Sequence, residues 1–112
     1  MAGRFEISTS IDEKFFFNLK AGNGQVTLTS ELYETEDGAS KGIASVRANS
    51  AIDERYERKT TSAGKWHFNL KTANGQVIGR SEMYSSETAM ENGIASVKVN
   101  APEALIVELT DA

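Results

Sequence analysis

At 112 residues the chain is long enough for one domain with its own core. Its 39% hydrophobic and 25% charged residues exclude a disordered polyelectrolyte, and its lack of cysteine excludes disulfides, thiolate metal sites and a cysteine nucleophile. A net charge of −4 argues against a general nucleic-acid binder, so any affinity for anions has to be local.

The start of the chain has no apolar run of the kind a secretory leader needs, and no stretch approaches the roughly 18 apolar residues of a membrane span. A cytoplasmic location without membrane attachment is expected. The first strand is read at residues 4–8, where Phe5 and Ile7 alternate with Arg4, Glu6 and Ser8. A stronger strand follows, with Phe15, Phe17 and Leu19 alternating with Phe16, Asn18 and Lys20. Asn23-Gly24 predicts a hairpin turn, since both residue types tolerate positive φ. The third strand then places Val26 and Leu28 inward.

The period changes to helical at Ala39, Gly42, Ile43 and Val46, which share one face at i, i+3, i+4 and i+7. Thr35 is the expected N-cap, and Glu36 suits the first turn. Asn49 is expected to end the helix, because asparagine enters the left-handed region cheaply.

Shifted by 51 positions, the chain lies on itself without a gap. Phe17-Asn18-Leu19-Lys20 falls on Phe68-Asn69-Leu70-Lys71, and Asn23-Gly24-Gln25-Val26 on Asn74-Gly75-Gln76-Val77. Ser30-Glu31-Leu32-Tyr33 falls on Ser81-Glu82-Met83-Tyr84, and Gly42-Ile43-Ala44-Ser45-Val46 on Gly93-Ile94-Ala95-Ser96-Val97. Residues 3–50 are one repeat and 54–101 the other, leaving 102–112 as a tail. In the second repeat the first strand is read at residues 55–59, Ser86 and Glu87 start the helix, and Asn100 ends it. Pro102 discourages continuation, and residues 105–109 suit a short last strand.

One repeat alone would expose an apolar sheet face. Two can share a sheet and pack both helices on one side about a pseudo-twofold axis. The expected fold is α+β: a tandem β-β-β-α duplication in a single domain, with one antiparallel-rich sheet. The expected core is Phe5, Phe15, Phe17, Leu19, Val26, Ile43, Val46, Tyr56, Trp66, Phe68, Leu70, Val77, Ile94 and Val97.

These doubled blocks resemble the YegP-like family of small bacterial proteins of unknown function, over about residues 3–100. The resemblance implies a β-β-β-α unit, paired in tandem or by dimerisation, in one combined sheet with exchange of terminal strands. It implies no catalytic residues.

The motifs themselves read mostly as structure. Gly42 and Gly93 sit mid-helix, where glycine costs about 1 kcal/mol relative to alanine, and repeating that cost points to a close approach of the helix. In Ser-Glu-x-Tyr, Glu31 and Glu82 could serve acid–base work, but local backbone bonding and tyrosine packing explain the motif more simply. His67, the single histidine, answers to Phe16 in the first repeat, so that position accepts an aromatic ring rather than demanding an imidazole.

The outward parity of the strands is more informative. It gathers Asn18, Lys20, Asn69 and Lys71, together with Arg4, Lys14, Arg55, Lys59, Lys65 and Arg80, against only Glu6 and Glu57. Phe16 and His67 share that face. The parity also sends Thr27, Ile78 and Thr29 outward. A basic sheet with aromatics and amides is a surface for phosphates or single-stranded nucleic acid.

The candidate ligand face is therefore Phe16, Asn18, Lys20, His67, Asn69, Lys71 and Arg80. The expected function is a non-catalytic module for an anionic small molecule or single-stranded nucleic acid. The alternative is protein interaction or self-assembly through strand exchange or edge-strand addition. No enzyme activity, cofactor or metal is expected, and the chain is expected to be a monomer acting as an internal pseudo-dimer.

Overall fold

The computed structural model describes residues 3–10 and 12–108. In chain order they form β1 (Arg4–Thr9), β2 (Phe15–Lys20), β3 (Val26–Thr29), α1 (Glu36–Asn49), β4 (Tyr56–Thr60), β5 (Trp66–Lys71), β6 (Val77–Arg80), α2 (Glu87–Asn100) and β7 (Leu105–Glu108). All seven strands share one mixed sheet in the order β4-β5-β6-β3-β2-β1-β7. The two repeats meet at its centre, where β3 and β6 run antiparallel with Thr29 opposite Arg80. Both helices cover one face, and the other face is open.

The core is the seam between helices and sheet. The helical stripe lies there as spaced in the sequence: Ala39, Gly42, Ile43 and Val46 are buried on α1, and Met90, Gly93, Ile94 and Val97 on α2. Phe5, Ile7, Phe17, Leu19, Phe68 and Leu70 meet them from the strands, all without solvent exposure. Phe15 and Trp66 are only partly buried, packed against the edge of this core.

The third strands depart from simple alternation. Leu19 pairs with Leu28, but the next residue, Lys20, pairs with Val26, so Thr27 is the extra residue of a bulge. The second repeat does the same between Leu70 and Lys71. Val26 and Val77, expected inside, therefore lie beside Lys20 and Lys71 on the open face. Thr27 and Ile78, expected outside, are buried instead. The Thr27 hydroxyl satisfies itself by donating to the Leu19 carbonyl at 3.1 Å.

Turns and caps follow from side-chain chemistry. Thr35 Oγ1 accepts from the Gly38 amide at 3.0 Å, and Ser86 Oγ from Ala89 at 3.1 Å, so both expected N-caps stand. In the two Asn-Gly hairpins only the glycines take positive φ, +86° at Gly24 and +88° at Gly75. Asn23 instead turns its side-chain oxygen back to the Gln25 amide. The helices do end at Asn49 and Asn100, but not through a left-handed residue. Each asparagine donates its amide back to a carbonyl four residues earlier, Ser45 and Ser96, both at 2.8 Å.

Ser-Glu-x-Tyr is a packing device. Ser30 Oγ accepts from the Phe17 amide at 2.8 Å and Ser81 Oγ from Phe68 at 2.9 Å, extending each ladder past the strand end. Tyr33 stacks on Phe17 and Tyr84 on Phe68, with interplanar angles of 11° and 8°. Each ring reaches the mid-helix glycine: a Cβ on Gly42 or Gly93 would stand 2.7 Å from the ring Cζ and closer still to the hydroxyl. The repeated glycines make room for the repeated tyrosines.

At the pseudo-twofold axis the repeats cannot be identical. Leu28, fully buried, meets its counterpart Gly79, where an added Cβ would lie 2.7 Å from the leucine branch. Two leucines would collide there, and two glycines would leave a void.

β7 occupies the outer edge of β1 and runs parallel to it, with Arg4 opposite Leu105 and Ile7 opposite Glu108. The period explains it. Glu6, Glu57 and Glu108 are spaced by 51 residues, so β1, β4 and β7 are three copies of one strand position. β1 and β4 each pair with the hairpin that follows them. The last copy docks instead on β1, the strand at the far edge of the sheet. The final residue of the expected tail strand, Leu109, lies outside the described residues.

Candidate functional site

The register lays one polar row across the open face: Glu6, Asn18, Thr29, Arg80, Asn69 and Glu57, each beside the next on neighbouring strands. Phe16 stands opposite Ser8 on one side of this row, and His67 opposite Lys59 in the other repeat. Lys20 lies opposite Arg4, and Lys71 opposite Val77. The seven predicted side chains do share the open face, but they do not form one basic surface.

Carboxylates neutralise most of it. Glu6 takes Arg4 at 2.5 Å and Lys20 at 2.9 Å, and Glu57 takes Lys71 at 3.0 Å. Arg80 binds Glu31 at 3.0 Å, and Lys14 binds Glu34. Arg55 leaves the face altogether. It sits in a 3-10 turn before β4 and donates to Asn49 at 2.9 Å, at the end of α1. Strand parity assigned the cations correctly in most cases but could not see Glu31 and Glu34, which come from the segment after β3.

Glu6 is the buried anchor of this arrangement, 6% exposed. The Lys20 ammonium holds its carboxyl below the usual range, against the opposing effect of burial, and Arg4 adds to the lowering. Lys71 and Asn69 do the same for Glu57. A carboxyl lowered in the folded state contributes stability above its unfolded value near 4.5 and loses it as pH falls through the lower folded value. Urea midpoints are accordingly expected to fall between pH 5 and pH 3. Glu6→Gln is expected to flatten that slope, and an unchanged slope would show the pair carries no linkage.

What is left is local. At the second-repeat end, Lys59, Thr60, His67, Asn69, Val77, Arg80, Ser81 and Met83 line a shallow cleft of about 440 Å³. Lys59 makes no ion pair among the described residues. Arg80 gives Nε and one Nη to a single oxygen of Glu31, leaving its other donors free. Asn69 donates to Glu57 at 3.1 Å, which fixes its amide. Three of the seven predicted residues, His67, Asn69 and Arg80, meet in this cleft. Lys20 and Lys71 are held by the glutamates, while Phe16 and Asn18 belong to the other repeat, where Asn18 accepts from Thr29 at 2.8 Å. The members missed were Lys59, on the face but outside the predicted set, Val77, placed inside, and Thr60, Ser81 and Met83 at the strand ends; the pairing of Lys59 with His67 was the signal for the first.

The counterpart cleft positions in the first repeat are Ser8, Phe16 and Thr29 where the second has Lys59, His67 and Arg80. At these three places the second repeat carries a cationic or imidazole side chain where the first carries none. Among the described residues no group of three histidine or acidic side chains could hold a metal, and no helix is long and apolar enough to cross a membrane.

Comparison with known proteins matches the same duplication. The model of a domain of unknown function, DUF1508, fits twice in tandem, at residues 11–57 and 62–108. The chain belongs to the DUF1508 family. Its repeats, by that phase, begin at β2 and β5 and end in β4 and β7, the strands spaced by the repeated glutamate. The protein YegP of Escherichia coli K12 is 56% identical over 110 residues, covering 98% of this chain and all of that protein. A relative from Shewanella oneidensis is 51% identical over 110 residues, with 98% and 100% covered. The solution NMR structure of yegP from E. coli, a protein of unknown function, superposes with a TM-score of 0.94 at 55% identity, covering 100% of this chain and 97% of that one. That of the Shewanella relative gives 0.92 at 51% identity, covering 98% and 93%. The family carries the fold and assigns it no function.

Proposed function

We propose that this DUF1508 protein is a non-catalytic binding module that holds an anionic ligand in the second-repeat cleft of the open face. The observation that carries the reading is the divergence of the two repeats. The cationic and imidazole side chains Lys59, His67 and Arg80 stand together in one cleft, and their counterparts Ser8, Phe16 and Thr29 are uncharged. Lys59 supplies an unpaired ammonium, Arg80 supplies free guanidinium donors suited to a phosphate or carboxylate, and His67 supplies a ring for a base or sugar to lie on. Met83, 59% exposed, gives the rim an adaptable apolar contact.

Titrating short oligothymidylate and inorganic pyrophosphate into ¹⁵N-labelled protein at low salt tests this. Saturable shifts are expected at Lys59, His67 and Arg80, with Phe16 and Lys20 unmoved and affinity falling as salt rises. Shifts spread evenly over both repeats, or binding indifferent to salt, would remove the cleft from consideration.

A further inference from the structure

A second cleft lies on the helix side of the sheet, where α2 of the second repeat crosses β3 of the first. Its volume is about 290 Å³, at the small end of the range that holds small molecules. Thr27 contributes to its lining, and the backbone of Gly93 and the Ala89 methyl give it an apolar wall. Around that wall stand Gln25, Tyr84 and Asn92, whose side chains make no hydrogen bond among the described residues. Thr27 has spent its hydroxyl on the Leu19 carbonyl and offers the cleft its methyl side.

The lining contains no charged side chain. Burial, reinforced by the nearby charge of Glu82, pushes the Tyr84 phenol above its ordinary value, so it remains a neutral donor at physiological pH. An ion entering the cleft would lose hydration and meet no opposite charge. A molecule that presents a donor beside an acceptor would match the carboxamides of Gln25 and Asn92, which offer the same pair.

Here too the repeats have diverged. The pseudo-symmetric position, where α1 crosses β6, has Ile78 in place of Thr27 and Lys41 in place of Asn92. Isoleucine is the bulkier side chain and lacks the hydroxyl, and Lys41 is turned to an ion pair with Asp37. The fold therefore tolerates both fillings, and only the α2 side combines a small floor with an uncharged polar rim.

We propose that this cleft binds a small uncharged molecule with a flat apolar body and an amide or lactam edge, of the size of a nucleobase. The site is separate from the open face, on the opposite side of the sheet.

Amide spectra of the labelled protein with benzamide, uracil and, as the charged isostere, benzoate test the proposal. Saturable shifts at Tyr84, Asn92 and Gly93 are expected with the two neutral probes, and at least tenfold weaker binding with benzoate. Thr27→Ile copies the residue found at the pseudo-symmetric position, so it is expected to leave the fold intact and to weaken neutral-probe binding at least tenfold. Asn92→Lys, at an exposed position that carries lysine in the other repeat, is expected to weaken it several-fold without touching the core. No saturable shift with either neutral probe, equal binding of benzoate, or affinity unchanged in both variants would overturn the proposal. Pyrophosphate binding on the open face is expected to be unaltered in both variants, which separates failure of this site from failure of the other.

Discussion

Leu28→Ala is expected to lower the unfolding free energy by about 2–5 kcal/mol, the range for emptying a leucine-sized volume in a packed core. Leu28 has no solvent exposure and fills the space left by Gly79 across the repeat junction. A small domain has about 5–15 kcal/mol in all, so this single change takes a large share of it. Gly79→Leu is expected to be comparably harmful for the opposite reason, since its first added carbon already lies 2.7 Å from the Leu28 branch. The two sites are a pair. Leu28→Gly combined with Gly79→Leu puts the large residue on the other repeat, and the double variant is expected to be more stable than the sum of the single losses predicts. Urea unfolding of the parent, Leu28→Gly, Gly79→Leu and the double variant measures this coupling. Strict additivity would mean that the two residues do not share one space.

The second large effect is expected at the mid-helix glycines. On helix propensity alone, Gly93→Ala should stabilise by about 1 kcal/mol. The structure predicts the reverse, because the new methyl falls 2.7 Å from Tyr84 Cζ and nearer to the hydroxyl. Overpacking of this kind costs about 1–3 kcal/mol, and the same holds at Gly42 against Tyr33. Tyr84→Phe in the Gly93→Ala background removes the closest atom and is expected to restore part of the loss. Gly38→Ala is the control: its added carbon meets Thr35 and Tyr33 at 3.3–3.5 Å, near ordinary contact, and a small effect is expected. Thermal melts of these variants decide it. A Gly93→Ala protein more stable than the parent would show that Tyr84 yields easily and that the glycine has another cause.

Much of this fold was legible in the residues. The helical stripe through Ile43 and Val46, and its copy through Ile94 and Val97, was readable because a 3.6-residue period in apolar residues has one physical use. The N-caps at Thr35 and Ser86 were readable because a hydroxyl before an acidic first turn meets free amides. The placement of Val26 and Val77 was not, because a bulge after Leu19 and Leu70 shifts parity by one and strand alternation carries no mark of it. Isoleucine at 78 beside threonine at 27 hid the signal, since only one of the pair looks like a core residue.

The open face was half legible. Parity found the cations, but charge neutralisation is a tertiary property. Nothing local to Arg80 says that Glu31 of the other repeat will reach it, or that Glu6 will be buried beneath Arg4 and Lys20. The parallel docking of β7 was legible in part: the glutamates at 6, 57 and 108 mark it as another copy of β1. The sequence alone did not say on which edge it would land.

If the proposed cleft is the anion site, the repeats share their strand and helix framework but differ on the open face, and binding belongs to the second alone. A reciprocal exchange tests it most directly. One protein carries Lys59→Ser, His67→Phe and Arg80→Thr; the other carries Ser8→Lys, Phe16→His and Thr29→Arg. Glu82 is available in the first repeat's partner position to hold the new arginine as Glu31 holds Arg80. Calorimetric titration with pyrophosphate at low salt is expected to show one site in the parent, none in the first protein and two in the second. Binding retained in the first protein, or a single unchanged site in the second, would contradict the account.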